Sequence, residues 1–320
     1  MADTFAVDST NPDSVKRQAV WIVAHQSGGY VHYGAAVFPM EQTAELPVML
    51  HCHWGDAGAS IDADFRMILG LLGSGTRNFV HVIPSFRSEL LSYGDSSWRS
   101  EGPASPWKED VLDAIRLVAA VESLAVDSAK PIIAETPRKA IGFSRGGGVA
   151  LLVGLRDSRY DRVVDYFGPT DFYGEYVKEI FKRILLGDTI PLPGVDVLDS
   201  SVIQQLNVGS LSIDSARFEL LVRSPARFAA DLPAITIHHG TEDSVVSISQ
   251  SEFLWSEIQD KNGDQLPLSR FYSYPGVGHN PFGMFGNIDS TVQFLTGRPA
   301  ALQSQTKPLA RVPFRMPGFQ

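Results

Sequence analysis

The sequence predicts an α/β fold: a mostly parallel twisted sheet of about eight strands, helices on both faces, and an inserted helical cap. Three observations lead there. Short β-rich runs alternate with helical patterns from about residue 19 to 297. The run PVMLHCHW is almost continuously apolar, as a central strand covered on both faces must be. One connection, from the strand ending near Gly168 to the strand starting near Ala234, exceeds sixty residues and is too long for a plain crossover.

Taken in order, AVWIVAHQ and YVHYGAAVFP, joined through SGG, read as an opening antiparallel hairpin. PVMLHCHW (47–54) is the next strand, DADFRMILGLL has helical spacing, and NFVHVIPS (78–85) is again a strand. PWKEDVLDAIRLVAAVESL is an amphipathic helix, with Pro106 suited to its start and acidic residues in its first turns. KAIGF follows as a strand, GGGVALLVGL as a helix packed close to it, and DRVVDYFG as a strand. The cap, at about 171–231, contains the helical FYGEYVKEIFKRILLG and, in part, VIQQLNVGSLSIDSARFELL. AITIHHG (234–240) and RFYSYPG (270–276) are the last strands, with SQSEFLWSEI a helix between them. STVQFLTG closes the domain as a helix ended by Gly297. We therefore expect an N-terminal extension at 1–18, one domain at 19–297 carrying the cap, and a Pro-containing tail at 298–320.

Composition narrows the function classes. The chain has 320 residues, 44% hydrophobic and 20% charged, ample for a sizeable core. A formal net charge of -9 and the absence of any Lys/Arg-rich run argue against nucleic acid as a partner. No apolar stretch approaches the ~20 residues of a membrane span, and the polar MADTFAVDSTNPDSVKRQ lacks the apolar centre of a signal peptide. The expected location is cytoplasmic. The one cysteine, Cys52, reads as a small apolar residue of a buried strand.

Three segments carry candidate chemistry. GFSRG fits G-x-S-x-G: on a sharp strand-to-helix turn, glycines two before and two after Ser144 relieve crowding and leave its hydroxyl exposed. The backbone N–H of Arg145 then points where an oxyanion would develop; its side chain is either a charge for an acidic substrate or without a part beside the backbone. Glycines here also let a helix pack tightly on a strand, so the motif needs its context. HHGTEDSVV places Asp243 in a loop past a strand end, where it is either a turn aspartate or the carboxylate that orients a histidine. Glu242 is the rival acid. YPGVGHNPFG places His279 in a Gly/Pro-rich loop past the last strand. His51, His81 and His238 lie within strand patterns and read as structural. The H-x-H pair His51 and His53 has no acidic or cysteine cluster at metal-ligand spacing, so no metal is expected.

The order Ser144, Asp243, His279, each at the carboxyl end of a successive strand, completes the pattern. From about residue 30 to 297, GFSRGG, HGTEDSVV and YPGVGHN resemble the nucleophile, acid and histidine segments of the α/β-hydrolase family, particularly its prolyl-oligopeptidase-like and dienelactone-hydrolase-like branch. The resemblance implies the α/β-hydrolase fold and a serine hydrolase with a Ser144–His279–Asp243 triad and no cofactor. It also implies a second oxyanion donor in HCHWGDAG, where many relatives carry His-Gly-Gly and this chain has His53, Trp54, Gly55 and Asp56. Gly55 is the expected donor, with Trp54 and Asp56 as alternatives.

The expected substrate is a small-molecule carboxylic ester. A peptidase of short peptides and a non-catalytic binding protein on the same fold are the alternatives. Trp54 is the expected substrate contact and Trp98 and Trp107 are candidates for the rim, with core or loop packing the alternative for each. Phe172, Tyr173, Tyr176, Phe181 and Ile184 supply apolar surface in the cap, either to wall an acyl pocket or to pack the cap onto the body.

Overall fold

The structure, a computed structural model, describes residues 2–5, 18–39, 45–127, 137–262 and 268–297. The tail at 298–320 and most of the N-terminal extension lie outside those residues. Residues 2–5 of that extension form an edge strand, β1 (Ala2–Phe5), which the polar sequence around it did not signal. The hairpin follows as β2 (Gln18–Ser27) and β3 (Tyr30–Pro39). Then come β4 (Val48–Cys52), β5 (Gly58–Ser60), α1 (Ile61–Leu72), β6 (Val80–Pro84), β7 (Leu90–Tyr93), β8 (Ser96–Arg99) and α2 (Glu109–Asp127). The second half continues with β9 (Arg138–Phe143), α3 (Arg145–Arg156) and β10 (Tyr160–Tyr166). It ends with β11 (Ala234–Gly240), α8 (Ser249–Asn262), β12 (Arg270–Tyr274) and α9 (Ile288–Thr296).

The main sheet has the order β1-β2-β3-β6-β4-β9-β10-β11-β12. Pairing is antiparallel from β1 through β3 to β6 and parallel from β6 to β12. Eight strands and a short ninth at the edge agree with the expected sheet. The small sheet β5-β7-β8 was not foreseen. Its strands are three or four residues long, too short to show a period of two.

Period-two alternation splits the core into two layers. Val48, Leu50 and Cys52 face one side with the buried faces of α2, α3 and α8, and Met49 faces the other with α1 and α9. α1 starts on a capping serine, Ser60, whose hydroxyl accepts from Ala63 N–H, and Gly297 ends α9 in the left-handed region. α2 begins at Glu109 rather than at Pro106, which lies in the turn before it.

Between β10 and β11 the chain forms α4 (Glu175–Leu185), α5 (Val195–Leu198), a π turn (Asp199–Ile203), α6 (Gln204–Asn207) and α7 (Ile213–Leu221). Phe172, Val177, Phe181, Leu198, Val202 and Ala216 join the same core layer as α2 and α3. These helices therefore pack over the body rather than standing apart from it. No helix among the described residues is long and apolar enough to cross a membrane.

Candidate active site

The turn between β9 and α3 explains its glycines. A Cβ at Gly142 would stand 2.0 Å from the Gly146 carbonyl oxygen, and one at Gly146 would stand 2.2 Å from the Cys52 carbonyl oxygen. Strand, helix and the end of β4 approach too closely for any side chain at either position. Ser144, between them, is held at φ 51° and ψ -124°, a strained conformation for a residue with a Cβ. Its N–H donates to the Tyr166 carbonyl at 2.8 Å and its carbonyl accepts from Gly147 N–H at 2.8 Å, so the turn is pinned from both sides.

His279 comes from the loop after β12 and Asp243 from the loop after β11. His279 Nδ1–H donates to Asp243 Oδ2 at 2.7 Å, which leaves Nε2 to accept from the Ser144 hydroxyl at 2.9 Å. The strand between β9 and β11 is β10, so the three loops do not follow successive strands as expected. The residue just after β10, Phe167, contributes instead: its ring lies 4.4 Å from that of His279 and backs it. Phe167 also has a positive φ, 46°, unusual for so bulky a residue and a second point of strain beside the serine.

Asp243 accepts three hydrogen bonds and has a second histidine beside it. Its Oδ1 accepts from the N–H groups of Val245 and Val246, both at 2.9 Å. Its Oδ2 accepts from His279 and faces His239 Nε2 at 3.3 Å. Burial by itself would raise the carboxyl, but the facing His239, the hydrogen bond and charge of His279 and the backbone N–H bonds outweigh it and hold it well below the usual carboxylate range. His239 is fixed in turn: it donates from Nε2 to the Val246 carbonyl at 2.8 Å and accepts at Nδ1 from Ser251 at 2.7 Å. Glu242, the rival acid, is exposed, with its N–H bonded to the Val277 carbonyl at 3.0 Å.

The other sequence candidates fall as follows. Arg145 opens α3, so its N–H is a first-turn donor with no partner inside the helix, beside Ser144. Its side chain is buried against Glu89 and Asp110 and offers no charge to an acidic substrate, which of the two readings leaves the backbone one. Gly55 lies in the loop after β4 at φ 69°, Asp56 is exposed, and half-buried Trp54 packs edge-on against Phe143 at 6.1 Å. His51, His81 and His238 are fully buried, and burial lowers each ring to about 3, 4 and 3 respectively.

A cavity of about 50 Å³ opens beside Ser144. Its walls are almost wholly apolar. Trp107, Phe172, Tyr176, Phe181 and Leu198 form much of the lining, with Val245 and Val246 from the loop that also carries Asp243. Of the cap aromatics singled out in the sequence, Phe172, Tyr176 and Phe181 line it, whereas Tyr173 does not, nor does Ile184. Trp107 reaches it, but Trp98 packs in the opposite core layer, and Trp54 is not among the lining residues. Val177, Ile180 and Leu192 were missed. α4 spaces Val177, Ile180 and Phe181 three and four apart, a signal for one helix face that does not tell which surface the face meets.

No family model and no curated protein matches the sequence. Solved structures do match the fold. Acetyl xylan esterase 1 from Thermoanaerobacterium sp. JW/SL YS485 superposes with a TM-score of 0.58 at 15% identity, covering 92% of this chain and 86% of that one. The acylaminoacyl peptidase of Pyrococcus horikoshii superposes with a TM-score of 0.60 at 12% identity over 92% of this chain. This chain spans only 44% of that peptidase. An S-formylglutathione hydrolase from Agrobacterium tumefaciens gives 0.56 at 14% identity, with 91% and 98% covered. At these identities the likeness is one of fold, and the fold is that of the α/β hydrolases.

Proposed function

We propose that this chain of the α/β-hydrolase fold is a serine hydrolase that cleaves carboxylic esters with short, uncharged acyl groups. The observation that carries the reading is the unbroken chain of hydrogen bonds from Ser144 through His279 to Asp243, beside an apolar cavity. Ser144 Oγ attacks the ester carbonyl while His279 Nε2 takes its proton. Asp243 keeps the imidazole in the required tautomer and balances the imidazolium. The N–H groups of Arg145 and of the Gly55 loop receive the oxyanion. His279 then protonates the departing alcohol and activates the water that releases the acyl group from Ser144.

The cavity supports a short acyl class. An apolar cavity of ~150 Å³ holds a benzene ring. The space here is about a third of that and suits an acyl chain of a few carbons. Among the described residues, the lining contains no carboxylate to receive the free ammonium of a peptide N-terminus, which favours the ester reading over an aminopeptidase.

Fluorophosphonate labelling of wild type and Ser144→Ala tests this, together with turnover of p-nitrophenyl acetate, butyrate and octanoate. Wild type is expected to label and to prefer the two shorter esters. Ser144→Ala should lose the label and at least about 10³-fold in turnover. Equal turnover by wild type and variant would refute the mechanism. Preference for aminoacyl-p-nitroanilides would move the peptidase reading ahead, and folded wild type that does not label would favour a binding protein.

A further inference from the structure

The β9–α3 turn that carries Ser144, the elbow, and the loop after β4 are separate segments, yet the proposed reaction needs N–H groups from both aimed at one oxyanion. The elbow's donor is fixed by α3. The loop, residues 54–57, is half-buried to exposed and turns through Gly55 in the left-handed region. Something must hold it.

Among the described residues, two side chains hydrogen-bond to its carbonyls. His53 donates from Nδ1 to the Trp54 oxygen at 2.9 Å, and Arg145 donates from Nη1 to the Gly55 oxygen at 3.2 Å. Both lie beside the same carboxylate, and of the two only Arg145 hydrogen-bonds to it. Arg145 Nη1 also donates to Glu89 Oε1, and His53 Nε2 lies 3.5 Å from Glu89 Oε2. Arg145 Nη2 donates to Asp110 Oδ2 at 2.5 Å. The guanidinium lies 4.8 Å over the Phe86 ring, against which the His53 ring also packs at 4.4 Å. Trp107 Nε1 donates to the Arg145 carbonyl at 3.0 Å, fixing the main chain of the same residue.

The cluster is buried: Arg145 is 3% exposed, Glu89 6% and Asp110 0%. Buried ion networks are poor sources of stability compared with apolar packing of the same volume, and their best use is to fix geometry. This one spans the two segments whose relative placement the reaction depends on.

We propose that the Arg145 side chain is a positioning residue: anchored by Glu89 and Asp110, it clamps the Gly55 carbonyl and so orients the loop N–H groups toward the oxyanion. Its backbone N–H and its side chain thus serve the same oxyanion from two directions. The inference rests on the serine-hydrolase reading above.

The test compares p-nitrophenyl butyrate with its thionoester, in which sulfur replaces the carbonyl oxygen and accepts hydrogen bonds weakly. Arg145→Lys keeps one charge but cannot reach Glu89, Asp110 and the Gly55 carbonyl together. It is expected to lower kcat/KM for the oxygen ester about 10- to 100-fold, less than deletion of an oxyanion donor. The thionoester rate should change little, so the oxygen-to-sulfur ratio falls about tenfold. Glu89→Gln, which loses the anchoring charge, should lower the ratio in the same direction by a few-fold, and it decides alone where Arg145→Lys does not fold. The ratio does not depend on the fraction of folded protein, so a merely structural role leaves it unmoved. An unchanged ratio in an active variant overturns this inference and leaves the hydrolase reading standing. Wild type that turns over neither ester overturns both.

Discussion

At the scale of the residue, what distinguishes Asp243 is the number of donors around it. Backbone N–H groups of Val245 and Val246 hold one oxygen, and two histidines meet the other. Asp243→Asn should therefore fold, because its Oδ1 can keep both backbone bonds. It should still lose about 10³- to 10⁴-fold in kcat, because an amide cannot hold the imidazole in the required tautomer or balance its charge. Steady-state kinetics on p-nitrophenyl butyrate with a parallel melting curve checks this, and a loss under tenfold would remove Asp243 from the proposed mechanism. Ser144, Asp243 and His279 could be picked from the sequence because each lies in a short motif with its own Gly-rich punctuation. Arg145 was visible as a backbone donor but not as a clamp. Its partners Glu89 and Asp110 lie 56 and 35 residues away in the chain, and nothing in the local pattern of either announces a buried charge.

At the scale of the element, α4 shows how a helix face becomes a wall. Val177, Ile180 and Phe181 are buried, while Glu175, Lys178, Glu179 and Lys182 lie on the exposed face. The exposed pairs Glu175–Lys178 and Glu179–Lys182 add little to stability. Tyr176 ties the helix to the acid loop through a hydrogen bond from its hydroxyl to the Val245 carbonyl. Ile180→Ala should cost about 2–5 kcal/mol of stability and enlarge the cavity. The ratio of octanoate to acetate turnover should then rise several-fold, as read from the p-nitrophenyl series. An unchanged ratio in a folded variant would mean that the acyl group does not enter this cavity. The helical pattern of α4 was plain in the sequence, and so was its place in a long insertion. The short elements were not: β5, β7 and β8 are too brief for a period, and α5 to α6 is interrupted by a π turn.

At the scale of the whole molecule, buried acids give stability a direction with pH. Burial pushes Asp165 up to about 7, against the pull of nearby His239 and the Gly168 N–H. It pushes Asp110 up to about 6 even beside Arg145. For both, the folded pKa lies above the unfolded value of ~3.9. The folded state therefore holds the extra proton between about pH 4 and 7, and this share of stability is full below that window and lost as pH rises through it. Asp243 has the opposite sign: its depressed carboxyl contributes above ~3.9 and loses that contribution as pH falls. Asp165→Asn keeps an acceptor for Gly168 and removes a buried ionisation. Its melting temperature should exceed that of wild type at pH 8 and differ little at pH 4.5; an equal change at both would contradict the assignment.

The sequence by itself determined the layered sheet, its parallel half and the positions of the elbow serine, the acid loop and the histidine loop. All of these rest on local signals, namely hydrophobic period and turn residues. Only the tertiary structure decided which apolar faces wall the cavity, that Trp54 packs on Phe143, and that Arg145 is turned inward between two acids. Those outcomes depend on contacts between residues far apart in the chain, where burial and charge pairing are set by neighbours that no local pattern names.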